Sequence, residues 1–266
     1  MAEVSELERV EGAAETAGGA PGGVGPPSAA RRRFIWIALC AVVAVAAGWG
    51  LRAFVREAEP RLATLPGRVA ATLASEREPL VPLAQIAPAL PLATVAVEDQ
   101  SFWTNPGISF EGIARSALVD FASAAWVEGG STITQQLMRD ELLGFQKTLH
   151  RKIVEIGYAL LATRRFSKTE ILTLYLNEVD YGNGAFGVAA AAHTYFDTTP
   201  ARLTLAESVL LAGLPQFPAG LDPYVHPAAA KARRAIVVAA MVRMHELTPA
   251  QARALDAAPL NLHPAA

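Results

Sequence analysis

Cysteine is nearly absent: Cys40 is the single one among 266 residues. No internal disulfide can form and no cysteine metal cluster exists. Histidine is also sparse. His150, His193, His226, His245 and His263 fall at no HxxxH or similar ligand spacing, which argues against a histidine metal site. A charge excess is missing as well, since 23 Lys and Arg against 25 Asp and Glu leave −2. No overall field favours nucleic acid as a partner. No convincing run of period-two alternation with turn signals appears. The expected domain is therefore almost all-α, with at most one short hairpin.

What is present divides the chain. Residues 1–30 are Ala-, Gly-, Pro- and Glu-rich and carry almost no large apolar side chains. Such a tail cannot bury enough surface to offset its ordering entropy and is expected to be disordered. Phe34–Leu51 then runs 18 residues without a charge, between Arg31–Arg33 and Arg52. That length suits a single transmembrane helix, and Trp36 and Trp49 stand near its ends where aromatic belts lie. A buried core helix fits poorly between arginines, and a cleaved signal peptide fits poorly after a 30-residue tail. The tight arginine cluster favours a cytoplasmic N-terminus. Residues 53–79 read as a juxtamembrane connector punctuated by Pro60, Pro66 and Pro79, and 80–260 as the globular domain.

Helix starts are marked in that domain. Ser167 with Glu170, Thr204 with Glu207, and Thr248 with Gln251 have capping-box spacing. Pro249 and Pro227 suit first helical positions. Gly182-Asn-Gly184, Pro215 and Pro218 mark stops.

Chemistry-bearing groups fall in three places. Glu98 and Asp99 end an apolar run, where a carboxylate can take part in proton transfer or can simply cap a helix. Arg151, Lys152 and Glu155 share one helix, as ion-pair cluster or as solvated face. The stretch "GGSTITQQLMRD" (129–140) crowds Ser131, Thr132, Thr134, Gln135 and Gln136 at a helix start. With helix from about Thr132 to Leu143, Thr132, Gln136 and Arg139 form one polar stripe beside Ile133 and Leu137 on the core side. Hydroxyls, amides and a guanidinium suit sugars and phosphate. A buried structural network is the competing explanation.

These residues carry a resemblance. "EDQSFWTNPG" (98–107), "GGSTITQQLMRD" (129–140), "RKIVE" (151–155), "ILTLYLNEVDYGNGAFGVAAAA" (171–192) and "LLAGLPQFPAGLDP" (210–223) occur in order. Together they resemble the peptidoglycan glycosyltransferase domain, glycosyltransferase family 51, over roughly Ala93 to Glu246. The resemblance implies a lysozyme-like, mostly helical fold beside a membrane anchor. It also implies polymerisation of lipid II into β-1,4 glycan strands on the outer face of the bacterial cytoplasmic membrane, with inversion and release of undecaprenyl pyrophosphate. It implies catalytic roles for Glu98, as general base, and for Glu155. It implies pyrophosphate contacts at Arg139, Arg151 and Lys152, and a sugar and phosphate cleft that includes Asp99, Phe102, Asn105, Gly130, Ser131, Thr132, Gln135, Gln136 and Asn177. No cofactor is required, but a divalent cation (Mg or Mn) can be accommodated at the pyrophosphate, with Glu155 as its candidate ligand. Lipid II, the growing glycan strand, the membrane and cell-wall synthesis proteins are the implied partners.

Departures from the family pattern are Asn105, where His is usual, and Arg139-Asp140, where Lys-Asn is common. The sequence contains no Ser-x-x-Lys motif and ends at Ala266, so a monofunctional enzyme that is no penicillin target is expected. "FASAAW" (121–126) and "LLGF" (142–145) are candidate membrane-contacting segments. Two other functions compete: a lysozyme-like muramidase or lytic transglycosylase, and a non-catalytic membrane-anchored scaffold.

Overall fold

The structure is a computed structural model that describes residues 29–112, 130–144, 146 and 148–264. Residues 1–28 of the tail, the segment 121–126 and Phe145 of the segment 142–145 lie outside the described residues, while Ala29 and Ala30, counted with the tail from the sequence, are helical. The chain forms two compact units, Met1–Ala53 and Phe54–Ala266.

A single helix, α1, covers Ala29–Ser75. It carries an 18-residue window of mean hydropathy 1.9, none of it buried. Trp36 and Trp49 are exposed there, as are Leu39, Val42, Val43 and Val45. The helix is long and apolar enough to cross a membrane.

In the second unit the C-terminal part of α1 joins the core. Ala58, Leu62, Leu65, Val69 and Leu73 repeat at helical spacing and are buried. Pro60 and Pro66, which the sequence suggests as punctuation, lie inside this helix. An interior proline costs about 3 kcal/mol. Each buried Leu or Val contributes about 1.5–3 kcal/mol, so the stripe outweighs the prolines.

The other helices are α2 (Ala89–Glu98), α3 (Ile133–Met138), α4 (Leu149–Arg165), α5 (Lys168–Glu178), α6 (Gly187–Phe196), α7 (Leu205–Gly213), α8 (Pro227–Arg243) and α9 (Pro249–Ala257). Among the described residues no strand forms, and the one β-type pairing is an isolated bridge between Asp180 and Phe186. The mostly-α expectation holds.

The three capping boxes read from the sequence are present before α5, α7 and α9. Pro227 and Pro249 open α8 and α9. A further box stands before α3, where the Thr132 side chain accepts from Gln135 N and the Gln135 side chain accepts from Thr132 N. The helix that the sequence suggests through Leu143 keeps its α form only to Met138. A π-helical turn, Arg139–Leu143, completes it, a form frequent at functional sites. Leu142 and Leu143 of the segment 142–145 pack against the core.

Two helix groups position the site. The apolar α2 lies against α7 and α8, while α3 lies against α4 and α5. Gly107 joins the second group closely. Its φ is +103, and a Cβ there would run into the Ala159 carbonyl on α4, so only glycine fits.

Candidate functional site

Glu98 is the last residue of α2. A carboxylate at a helix C-terminus faces the unfavourable end of the macrodipole. Its side chain is only 12% exposed, so compensation is needed. Two donors supply it, one from each helix group. Arg233 Nη2 on α8 donates to Oε1 at 3.0 Å, and Gln136 Nε2 on α3 donates to Oε2 at 2.9 Å. Gln136 cannot turn round, because the Tyr175 hydroxyl donates to its Oε1 at 3.1 Å. Burial, and next the Glu98 charge, pushes the Tyr175 phenol well up, so it remains a donor. Arg233 is fixed by its Nε, which donates at 3.1 Å to the Gly213 carbonyl at the end of α7. Burial pulls its guanidinium down from the usual value while Glu98 opposes that shift.

Glu155 on α4 is 1% exposed. Gln135 Nε2 donates to its Oε1 at 3.2 Å, and Arg151 Nη1 donates to its Oε2 at 2.7 Å. Lys152 Nζ also donates to Oε1, and reaches Ser131 Oγ at 2.8 Å. Arg151 and Lys152 are therefore not a solvated face. They fold back over a buried carboxylate beside the start of α3. Thr148 caps α4 and places both basic residues in its first turn.

The polar stripe of α3 is divided between roles. Thr132 Oγ1 donates to the Gly107 carbonyl at 2.7 Å, and with Gln135 it forms the helix cap. Gln136 reaches Glu98. Arg139 forks onto Asp140, Nε to Oδ1 at 2.6 Å and Nη2 to Oδ2 at 3.0 Å.

Asp99 and Asn105 form a buried support. Asn105 Nδ2 donates to both Asp99 oxygens, at 2.9 and 3.0 Å, and Asn105 Oδ1 accepts from Gly107 N and Lys168 Nζ, each at 2.9 Å. Ile133 N at the start of α3 donates to Asp99 at 3.3 Å. Burial raises the Asp99 carboxyl above its ordinary value, and the Asn105 bond works against this. Phe102 is fully buried, with Lys168 Nζ 4.7 Å from its ring centre. The charge that Asn105 cannot carry is thus supplied nearby by Lys168, whose own amine is pulled down by burial. Phe102 acts as a platform beneath that amine.

A cleft of about 90 Å³ opens here, lined by Glu98, Asp99, Ser101, Gly130, Ser131 and Thr132 among others. Glu98 and the start of α3 share it. Asn177 does something else. Its Oδ1 accepts from Val81 N, and its Nδ2 donates to the Val81 and Thr173 carbonyls, all at 2.8 Å. With donor and acceptor engaged by backbone, it clamps the chain after α1 to α5. A larger groove of about 180 Å³, lined by Arg61, Thr64, Arg68, Glu141 and Leu142, contains none of the residues expected in the site.

Sequence reasoning misses Arg233, Lys168 and Tyr175. Arg233 stands in an Ala-rich helix whose basic residues look like a solvated face, yet it is 9% exposed. Lys168 is hidden inside a capping box, and Tyr175 inside an apolar run.

The family model described as Transglycosylase matches residues 66–242. Penicillin-binding protein 2D of Bacillus subtilis is 40% identical over 189 residues, which cover 71% of this chain and 27% of that protein. Penicillin-binding protein 1A of Aquifex aeolicus is 40% identical over 185 residues, covering 70% of this chain and 26% of that one. Penicillin-binding protein 1A of Escherichia coli is 36% identical over 233 residues, covering 82% and 27%. The chain spans about a quarter of the length of these relatives.

Proposed function

The chain belongs to the transglycosylase family, and from that premise we propose that it is a peptidoglycan glycosyltransferase acting on lipid II. Glu98 is the general base. It takes the proton from the 4-hydroxyl of the acceptor GlcNAc, and that oxygen attacks the anomeric carbon of the donor MurNAc. The bond to the phosphate oxygen breaks, and undecaprenyl pyrophosphate leaves with the electron pair. A single displacement turns the α-linked phosphate into a β-1,4 linkage. Base assistance of this kind contributes about 10²–10⁴-fold.

The observation that carries the reading is the position of Glu98. It lines the cleft and is held on separate oxygens by Arg233 and Gln136, one from each helix group. Such a carboxylate is fixed in direction, and a hydroxyl in the cleft can exchange with the neutral Gln136 donor. The leaving pyrophosphate requires cations. Arg151 and Lys152, gathered over Glu155, and Arg139 at the end of α3 supply them. Glu155 acts as the anion that orders those cations.

A divalent ion fits poorly beside Glu155, because both its oxygens already accept from Gln135, Arg151 and Lys152. The pyrophosphate charge is therefore assigned to the side-chain cations, and no step runs through a metal. The apolar helix anchors the chain, with the N-terminus on the cytoplasmic face and the reaction on the outer face. A substrate confined to the bilayer then meets its enzyme at high effective concentration.

The test uses the full chain in detergent with labelled lipid II. Polymer from the wild type, and a loss of about 10²–10⁴-fold in Glu98→Gln, is the expected result. Cleavage of finished glycan without polymer formation, or polymer at the wild-type rate from Glu98→Gln, overturns the reading.

A further inference from the structure

The Arg139 guanidinium does not stand free. Its Nε and Nη2 form a two-point fork onto Asp140, at 2.6 and 3.0 Å. The same edge of a guanidinium is the one that grips two phosphate oxygens. A carboxylate and a phosphate therefore compete for one set of donors. Both side chains are largely enclosed, 26% exposed for Arg139 and 12% for Asp140, so the contest is not diluted by solvent as it is on a surface.

The neighbouring charges leave Asp140 no other partner among the described residues. Arg68 holds Glu141 through its Oε2 and its carbonyl. Arg151 and Lys152 hold Glu155. Arg233 holds Glu98. Arg139 is thus the single described cation paired with Asp140, and Asp140 is the single described anion paired with Arg139.

We propose that Asp140 is a built-in competitor for the pyrophosphate at Arg139, occupying the phosphate-binding edge of the guanidinium until the ligand displaces it. The inference rests on the reading of Arg139 as a pyrophosphate contact. Its effect is on binding and release. A ligand must exchange for Asp140 on arrival, and Asp140 re-closes the fork as the pyrophosphate departs. The chain therefore holds diphosphate less tightly than its array of cations would allow, and its product leaves sooner. Asp140 is a specificity and release residue rather than a catalytic one.

The experiment measures binding of inorganic pyrophosphate to the full chain in detergent, by calorimetry and by inhibition of lipid II polymerisation. Asp140→Asn keeps the size and removes the charge. It is expected to bind pyrophosphate roughly tenfold more tightly, about 1.4 kcal/mol, and to lower the KM for lipid II more than it changes kcat. Asp140→Ser replaces it if the Asn variant does not fold. Glu141→Gln removes an adjacent carboxylate that Arg68 holds, and should leave pyrophosphate binding within twofold of wild type. Arg139→Gln combined with Asp140→Asn should erase the gain. Unchanged affinity in Asp140→Asn overturns the inference. So does an equal gain in Glu141→Gln, or a gain that survives loss of Arg139, since either means a general charge effect. Active Glu98→Gln would sink the functional reading alone, because the pyrophosphate titration still decides the role of Asp140.

Discussion

Replacing Arg233 with methionine keeps most of the side-chain volume and deletes the guanidinium that faces Glu98. Removing one partner of a buried ion pair costs about 3–5 kcal/mol. Here the side chains are 10% and 12% exposed, and Gln136 still donates to the other Glu98 oxygen, so the lower end, about 3 kcal/mol, applies. For a domain of this size 1 kcal/mol is roughly 2–4 °C in Tm, giving a drop of about 6–12 °C. The Gly213 carbonyl also loses its side-chain donor, which pushes towards the upper figure. The decisive assay is a double-mutant cycle on the full chain in detergent, followed by far-ultraviolet circular dichroism on heating. Arg233→Met and Glu98→Gln each leave one charge uncompensated, whereas the double variant leaves none. The double variant should therefore lose less than the sum of the singles, by about 1–3 kcal/mol. Polymerisation by Arg233→Met should fall through kcat more than KM, because the base is misdirected while the pyrophosphate cations remain. Additivity within about 0.5 kcal/mol would refute the coupling between the two side chains.

Two further outcomes follow from the buried polar groups. Burial, and next the charges of Asp140 and Glu141, pushes the Glu178 carboxyl from 4.5 up to about 9. The folded state then binds a proton that the unfolded chain releases, so stability falls as pH rises from about 4.5 to about 9. Glu178→Gln should flatten that slope and melt higher than wild type at pH 8, and an unchanged slope in paired melts at pH 5 and pH 8 would contradict it. Asn105→Ala strips the two-oxygen donor from buried Asp99 and the acceptor from Lys168. A loss of about 1–3 kcal/mol is expected, with Asn105→Asp costing more because it sets a second carboxyl against Asp99, as thermal melts can check.

Local signals were readable because their physics is local. Ser167 with Glu170, Thr204 with Glu207 and Thr248 with Gln251 satisfy orphan amides within one turn, and all three boxes form. The same spacing occurs at Thr132 and Gln135, but an unusual density of hydroxyls and amides suggested ligand contacts first. The structure divides that stretch: Thr132 and Gln135 build the helix start, while Gln136 reaches across to Glu98. Asn177 belongs to a distinctive motif, yet its amide serves the Val81 backbone. Pro60 and Pro66 misdirect because proline is judged locally, whereas the α1 stripe from Ala58 to Leu73 earns its stability from tertiary packing. Arg233 was beyond reach for a different reason. Its partner lies 135 residues away, and no periodicity encodes a pairing over that distance.

That separation also bears on how the protein is made. Glu98 ends α2 early in the domain, and its cation sits on α8, near the end. Synthesis delivers the carboxylate first and its cation 135 residues later. Until α8 docks, enclosing the end of α2 would strand a charge at the wrong pole of a helix, so α2 cannot settle fully on its own. Closing so long a loop comes late because its entropic cost precedes its reward. A chain stalled before α8 therefore holds Glu98 without the Arg233 guanidinium that meets its Oε1.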